Sequence, residues 1–247
     1  MTQLTIMIYG LAIALLSLSG IFILMLNKRA QEYIEKNLIT ITTFSAGIFF
    51  VTSTLVLNES FESLKTSFFL LSVLAGVFLF LLIHLLFKPH RLLGKDHRHK
   101  HLAWKVIIGD TLHNLADGLF LVASFSVNSA LGIGVALSII FHEIPQEVSE
   151  FFVLKKSGYS NLKAVARNFI SALAILVGVL FGIMIADTGS LSGLLLGVSG
   201  SFFLGIIFTD LFPALKLYKE KQLRKKIIPF TLGLVFMFII ISIFSHH

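Results

Sequence analysis

The sequence predicts an all-α, polytopic membrane protein of eight transmembrane helices with both termini outside, on three observations. Hydrophobic residues make up 56% of the chain and charged residues 13%, giving a mean hydropathy of +0.91, far from soluble averages. Apolar runs long enough to cross ~30 Å of hydrocarbon at 1.5 Å per residue lie near 4–26, 38–57, 67–87, 104–126, 129–154, 162–186, 190–213 and 227–244. The basic residues alternate by loop: nineteen of the 20 Lys and Arg fall in the first, third, fifth and seventh connections, and Lys65 is the exception. Short loops obey the positive-inside rule, so these four connections are assigned to the cytoplasm.

Taken in order, segment one is longer than a signal-peptide core, has no basic residue before it and is followed by Asn27-Lys28-Arg29, so it is expected to be a retained helix. Segments two and three are continuously apolar, without the period-two alternation of a lipid-facing strand. The longest polar stretch, 88–105, is too short to enclose a core. Residues 1–247 are therefore expected to form one transmembrane domain with a basic, His-containing cytoplasmic loop at 88–105. The net charge of +7 is explained by orientation in the bilayer, and nucleic acid is not expected as a partner. With no cysteine, any metal site must use imidazole, carboxylate, amide or water.

Segments four and five carry the chemistry. Asp110, His113, Asn114 and Asp117 are spaced i, i+3, i+4, i+7 on one helical stripe, and His142, Glu143, Gln146, Glu147 and Glu150 form a similar stripe. Ionisable groups at bilayer depth cost several kcal/mol each and persist mainly where they line a site or pathway. Counting from Trp104 and Leu154 at 1.5 Å per residue places His113 and Glu147 roughly 13 and 11 Å from the cytoplasmic end, and Asp117 and His142 roughly 20 and 18 Å. Facing stripes on antiparallel helices then make a polar column suited to zinc and similar divalent ions. Pro145 frees the carbonyl of Phe141, which is expected to serve as an additional ligand or to accept a water. In segment seven, Gly193, Gly197, Ser201 and Gly205 form a small-residue ridge that packs either internally or in a dimer.

His113-Asn114-x-x-Asp117-Gly118 followed by His142-Glu143-x-Pro145-Gln146-Glu147 resembles the Zrt/Irt-like (ZIP) divalent metal transporters, in a bacterial-type form, over nearly the whole chain. The resemblance implies a ZIP-like bundle in the plasma membrane, the inner membrane of a bacterium, that imports divalent cations into the cytoplasm as substrate. Zinc is the first choice, with iron, manganese, cobalt and cadmium open; no organic cofactor, no enzymatic activity and a homodimer are implied. Carried over by position, His113, Asp117, His142 and Gln146 make the main site, and Asn114, Glu143 and Asn168 an adjacent one. Glu147, Glu150 and Asp110 lead the ion inward, Asp210 belongs to the pathway, and His90, His97, His99 and His101 hand metal over in the loop. The chain departs from the family pattern at the neutral Gln146, at Leu57-Asn58-Glu59 and at Pro213-Ala214, where ligands of relatives are missing.

Two alternatives belong to other function classes. His142-Glu143-x-x-Gln146 is one imidazole short of the zinc-protease His-Glu-x-x-His, which argues against an intramembrane metalloprotease. A proton-linked transporter of a non-metal solute also uses an Asp/Glu/His column but binds no metal tightly. Because imidazole must be unprotonated to bind a metal, uptake is predicted to weaken as pH falls through the His range near ~6.5; uptake measured between pH 5 and 8 checks this, and a flat profile contradicts histidine ligation.

Overall fold

The computed structural model describes residues 2–26, 28–87, 98–186, 190–216 and 220–245. Among the described residues the chain forms ten helices and no strand: α1 (Gln3–Ser17), α2 (Ser19–Leu26), α3 (Lys28–Ser63), α4 (Thr66–Phe87), α5 (Arg98–Val127), α6 (Ser129–Lys156), α7 (Asn161–Ala172), α8 (Ala174–Ala186), α9 (Ser190–Lys216) and α10 (Glu220–Ser245). Among the described residues seven stretches are long and apolar enough to cross a membrane: Gln3–Phe22, Thr40–Ser63, Thr66–Leu86, Ala103–Val127, Ser129–Lys156, Asn161–Ile185 and Leu191–Phe208. The expected eighth segment falls in α10, which offers the shorter apolar stretch Ile227–Ile243 among the described residues.

Two expected single helices are each interrupted at one residue. The first breaks at Leu18, within the run Ser17-Leu18-Ser19-Gly20, whose residues hold a helix weakly. The sixth breaks at Leu173, two residues after Ser171, whose hydroxyl lies within bonding distance of the carbonyls of Arg167 (3.2 Å) and Asn168 (3.0 Å). Such back-bonding bends helices.

The helices pack in two groups. α3 lies against α9 and α10, and α4 against α9; α5 lies against α6 and α8, with α1 along α6 and α8. The groups meet where α3 packs on α6 and α5 on α9. Without a hydrophobic force between helices in lipid, close approach through small residues is what holds such a bundle. A Cβ on Gly178 would run into the carbonyl of Leu115, and one on Gly118 into that of Ile175, so α5 and α8 cross backbone to backbone. The α9 ridge is used internally in the same way, with Gly193 against Ser63 and Leu64, Gly197 between Ser60 and Ser72, Ser201 at Gly76 and Gly205 on Phe80. A dimer of this chain must therefore use another face. The outside of the bundle is apolar, with Leu71, Leu74, Phe78 and Leu85 of α4 and Ile228, Leu232 and Phe238 of α10 exposed, as a lipid-facing surface requires.

A single residue, Asn128, joins α5 to α6, and its side-chain oxygen caps α6 by accepting from the Leu131 N–H at 2.8 Å. Gly132 lets the ring of Phe125 lie against its backbone, so the two helices run antiparallel in contact from the turn onward. At the other end α6 stops at Lys156 with Gly158 at φ 89°, donating to Lys155, while Tyr159 donates to Leu154. This Schellman turn returns the chain as α7. Pro145 does not break α6. The Ser45 hydroxyl of α3 reaches the carbonyl of Phe141 at 2.6 Å, so the carbonyl that proline frees is satisfied by a neighbouring helix and is not a spare ligand.

Two stability predictions follow from these contacts. Gly178→Leu meets backbone that cannot give way, so an overpacking cost of at least roughly 1–3 kcal/mol is expected as a lowered melting temperature in detergent. Ser45→Ala removes the donor to the Phe141 carbonyl at a cost of about 1 kcal/mol, visible in the same melting assay, whereas Ser242→Ala on the exposed side of α10 is expected to leave it unchanged.

Candidate metal centre

The α5–α6 hairpin brings the two polar stripes face to face. The rings of His113 and His142 lie 5.2 Å apart between centroids, and His113 Nε2 is 3.4 Å from Glu143 Oε1. Ligand atoms of His113, His142 and Glu143 all fall within 4.8 Å of one another, and so do those of Asp110, Glu143 and Glu147. A tetrahedral zinc with bonds of about 2.0–2.1 Å holds its ligands about 3.3–3.4 Å apart, which is the His113–Glu143 separation. Asp117 lies one turn along α5 with Oδ2 3.8 Å from His113 Nε2.

The level at which the stripes meet differs from the expected one. His113 faces His142 and Glu143, and Asp110 faces Glu147, about one turn away from the pairing counted from Trp104 and Leu154. The helices begin at Arg98 and end at Lys156, and from those ends His113 and His142 lie at about 22 and 21 Å, the same depth.

Supporting bonds fix the remaining groups. Asp110 Oδ1 accepts from Asn114 Nδ2 at 3.0 Å and from Gln146 Nε2 at 2.9 Å, so both amides serve as donors to a carboxylate. Asn168 of α7 donates to the backbone carbonyl of Glu147 at 2.9 Å. Its helix is held to the start of α5 by Arg167, whose guanidinium sits 5.2 Å over the Trp104 ring. Asp117, Glu143 and Glu147 are 0% exposed. Asp110 Oδ2, both carboxylate oxygens of Asp117, Glu143 and Glu147, His113 Nε2, His142 Nε2 and Asn168 Oδ1 have no hydrogen-bond partner among the described residues. Buried polar groups are otherwise almost always paired, and a convergent set of lone pairs without donors is the chemistry of a cation site.

The site has one open and one closed side. A cavity of about 540 Å³ runs from His113 and His142 past Asp110, Gln146 and Glu150 to Lys105 and Val153, toward the bundle end that carries Lys155 and Lys156. Phe49, at the wall of this cavity, lies on His142 (4.8 Å between ring centroids), and Phe203, outside its lining, lies on His113 (5.4 Å). Phe120 packs on Phe203 at 5.0 Å, and these three phenylalanines are at most 1% exposed.

The aromatic wall, and His84 of α4, which stacks on Phe80 and lines the same cavity, were not singled out from sequence. A histidine inside an apolar span is a signal that could have marked His84, whereas the phenylalanines had none among the 25 in the chain. Of the remaining expected residues, Asp210 is in α9 and His99 and His101 are in the first turn of α5, but their side chains are outside the described ones; His90 and His97 lie outside the described residues.

Known proteins resemble this chain in sequence. A metal cation symporter, ZIP14 of Bos taurus, is 34% identical over 154 residues, which are 59% of this chain and 31% of that protein. Zinc transporter ZIP10 of Danio rerio is 33% identical over 126 residues (51% and 15%), and zinc transporter foi of Drosophila melanogaster 33% over 112 residues (45% and 16%). The matched segments span about a third or less of these relatives' own length. The model of the ZIP Zinc transporter family matches residues 88–241, well over half of the chain and all of α5 to α9 from the start of the metal-facing hairpin onward. This chain is a member of the ZIP zinc transporter family.

Proposed function

We propose that this protein imports divalent metal cations into the cytoplasm through the site between α5 and α6, with zinc as first substrate, and that residues 1–247 act as one transport domain in the plasma membrane. The observation that carries the reading is the convergence of His113, His142 and Glu143, with the Asp117 carboxylate one turn away, as unpartnered, buried ligand atoms at mid-bundle. The imidazoles favour zinc and its neighbours, and the carboxylates supply the charge that offsets the lost hydration shell. Relatives named zinc transporter and metal cation symporter support the same substrate class.

The direction rests on charge. By the positive-inside rule the bundle end at Lys105, Lys155 and Lys156 is cytoplasmic, and the cavity leads from the site to that end. The conformation is then the inward-facing one, with Phe49, Phe120 and Phe203 closing the outer side. Glu150 and Lys105 at the mouth mark the way out, Asp210 lies on the same cytoplasmic half of α9, and His90 and His97 before α5 with His99 and His101 in its first turn would take up released metal. Alternating access requires the outer seal to part, and the division into an α3/α4/α9/α10 group and an α1/α5/α6/α8 group supplies two bodies that move across the α3–α6 and α5–α9 contacts. A homodimer would form through a face other than the α9 ridge.

Proteoliposome uptake of a panel of divalent ions tests this. Wild type is expected to show saturable uptake with no energy source supplied. Asp117→Asn and Glu143→Gln each remove one negative charge beside the ion and should lower it by at least about tenfold; normal transport by either variant, or no ion moved by wild type, contradicts the assignment.

A further inference from the structure

We propose that Lys163 and Arg167 of α7, with Trp104 of α5, form a binding site for the headgroup of an anionic phospholipid at the basic end of the bundle. The burial pattern of α7 prepares it. Ala164, Val165, Asn168 and Ser171 are buried against the other helices. Leu162, Ala166 and Ile170, spaced i, i+4 and i+8, form an exposed apolar stripe, with Leu162 76% and Ile170 62% exposed. Lys163 and Arg167 stand one residue on from that stripe and one turn from each other. The basic pair therefore runs along the edge where lipid meets protein.

Basic residues at a cytoplasmic end are general to membrane proteins and do not by themselves make a site; two observations single out this place. The Arg167 guanidinium lies 5.2 Å over the indole of Trp104, which is 49% exposed, so the cation rests on an aromatic platform with its planar fork of donors held in one orientation. Both residues stand about 9 Å in from the starts of their helices at that end, the depth at which Trp and snorkelling Arg mark the boundary between headgroups and acyl chains. No carboxylate competes for the pair. The chain has no Asp or Glu between Glu150 and Asp187 or between Arg98 and Asp110, and among the described residues Lys163 and Arg167 have no carboxylate partner. A lipid phosphate here takes charge-assisted hydrogen bonds from both cations, while its acyl chains lie along Leu162, Ala166 and Ile170. That apolar stripe is what selects a lipid over free phosphate. The site also reaches inward, because Asn168, next to Arg167, donates to the Glu147 carbonyl at 2.9 Å, so a headgroup that steadies Arg167 on Trp104 steadies the contact behind Glu147.

Melting curves of the purified full-length chain in detergent, with added phosphatidylglycerol, phosphatidylcholine or inorganic phosphate, test the site without any metal and so independently of the transport reading. Phosphatidylglycerol is expected to raise the melting temperature by at least about 3 °C, as a ligand that binds only the folded chain does, and the other two to leave it within about 1 °C. Arg167→Gln and Lys163→Gln should each remove at least about half of that rise. Lys155→Gln takes the same charge from the same end of the bundle and should keep most of it. Arg167→Lys retains the charge but not the planar fork, so its rise should fall between those of wild type and Arg167→Gln. Lys163 is exposed, so Lys163→Gln carries the test if Arg167→Gln fails to fold. A rise that survives both neutralisations, or that phosphatidylcholine or inorganic phosphate matches, overturns the lipid site. Equal losses in Lys155→Gln and Lys163→Gln overturn it as well, by showing diffuse attraction to the basic end.

Discussion

Everything in this bundle is arranged around a charge problem: several carboxylates and two imidazoles sit at the depth where lipid offers them nothing. Two ionised carboxylates 4.8 Å apart, the limit that relates Asp110, Glu143 and Glu147, repel by about 3.5 kcal/mol at an effective dielectric of ~20. A dication between them turns each repulsion into part of an attraction. The fold has to hold these groups together until that happens, and it does so with backbone contacts that side-chain motion cannot relax. The one-residue turn at Asn128 fixes α5 against α6, and the Gly118–Gly178 crossing fixes α5 against α8. Ser45 ties α6 to α3 at the carbonyl that Pro145 would otherwise leave bare.

The positions that sequence could disclose are those where a residue contradicts its surroundings. His113, Asp117, His142 and Glu143 are costly in an apolar segment, and their helical spacing was enough to place them on facing stripes. Depth was harder, because it depends on where each helix ends. The apolar run of α5 starts near Trp104, but the helix begins at Arg98, and that difference moved the facing pairs by a turn. The breaks at Leu18 and Leu173 were hidden for a related reason: a one-residue interruption within a hydrophobic run changes neither its length nor its polarity. The closing phenylalanines were invisible because a Phe that seals a site and a Phe that faces lipid are the same letter, and only the ring contacts of Phe49 and Phe203 with the two histidines separate them.

The two ends of the site are made of different materials, and this asymmetry bears on mechanism. An apolar seal is closed by packing and excludes water without any ionic partner, so opening it costs dispersion and hydrophobic contact but breaks no salt bridge. The cavity side sets charged and amide side chains among apolar ones and leads toward the basic end of the bundle. In the proposed transport reading an ion leaving the imidazoles in that direction would meet Asp110, Glu150 and Lys105, which line the cavity, so attraction would fall and a positive charge would appear near the exit. That ordering favours departure over trapping once the ion has left the His113/His142 level.

Gln146 looks in sequence like a loss, a neutral amide where relatives carry an imidazole or a carboxylate. In the folded chain its amide nitrogen is spent on Asp110, and a carboxylate at that position would instead add a fourth negative charge to a set that already repels itself. A donor in this place lets Asp110 stay rotated toward Glu143 and Glu147 with one oxygen uncommitted. In the proposed site Gln146 therefore serves as a donor to Asp110. Departures of this kind are legible only when the partner across the interface is known, since the meaning of a neutral residue in a charged site is set by which of its atoms the neighbour uses.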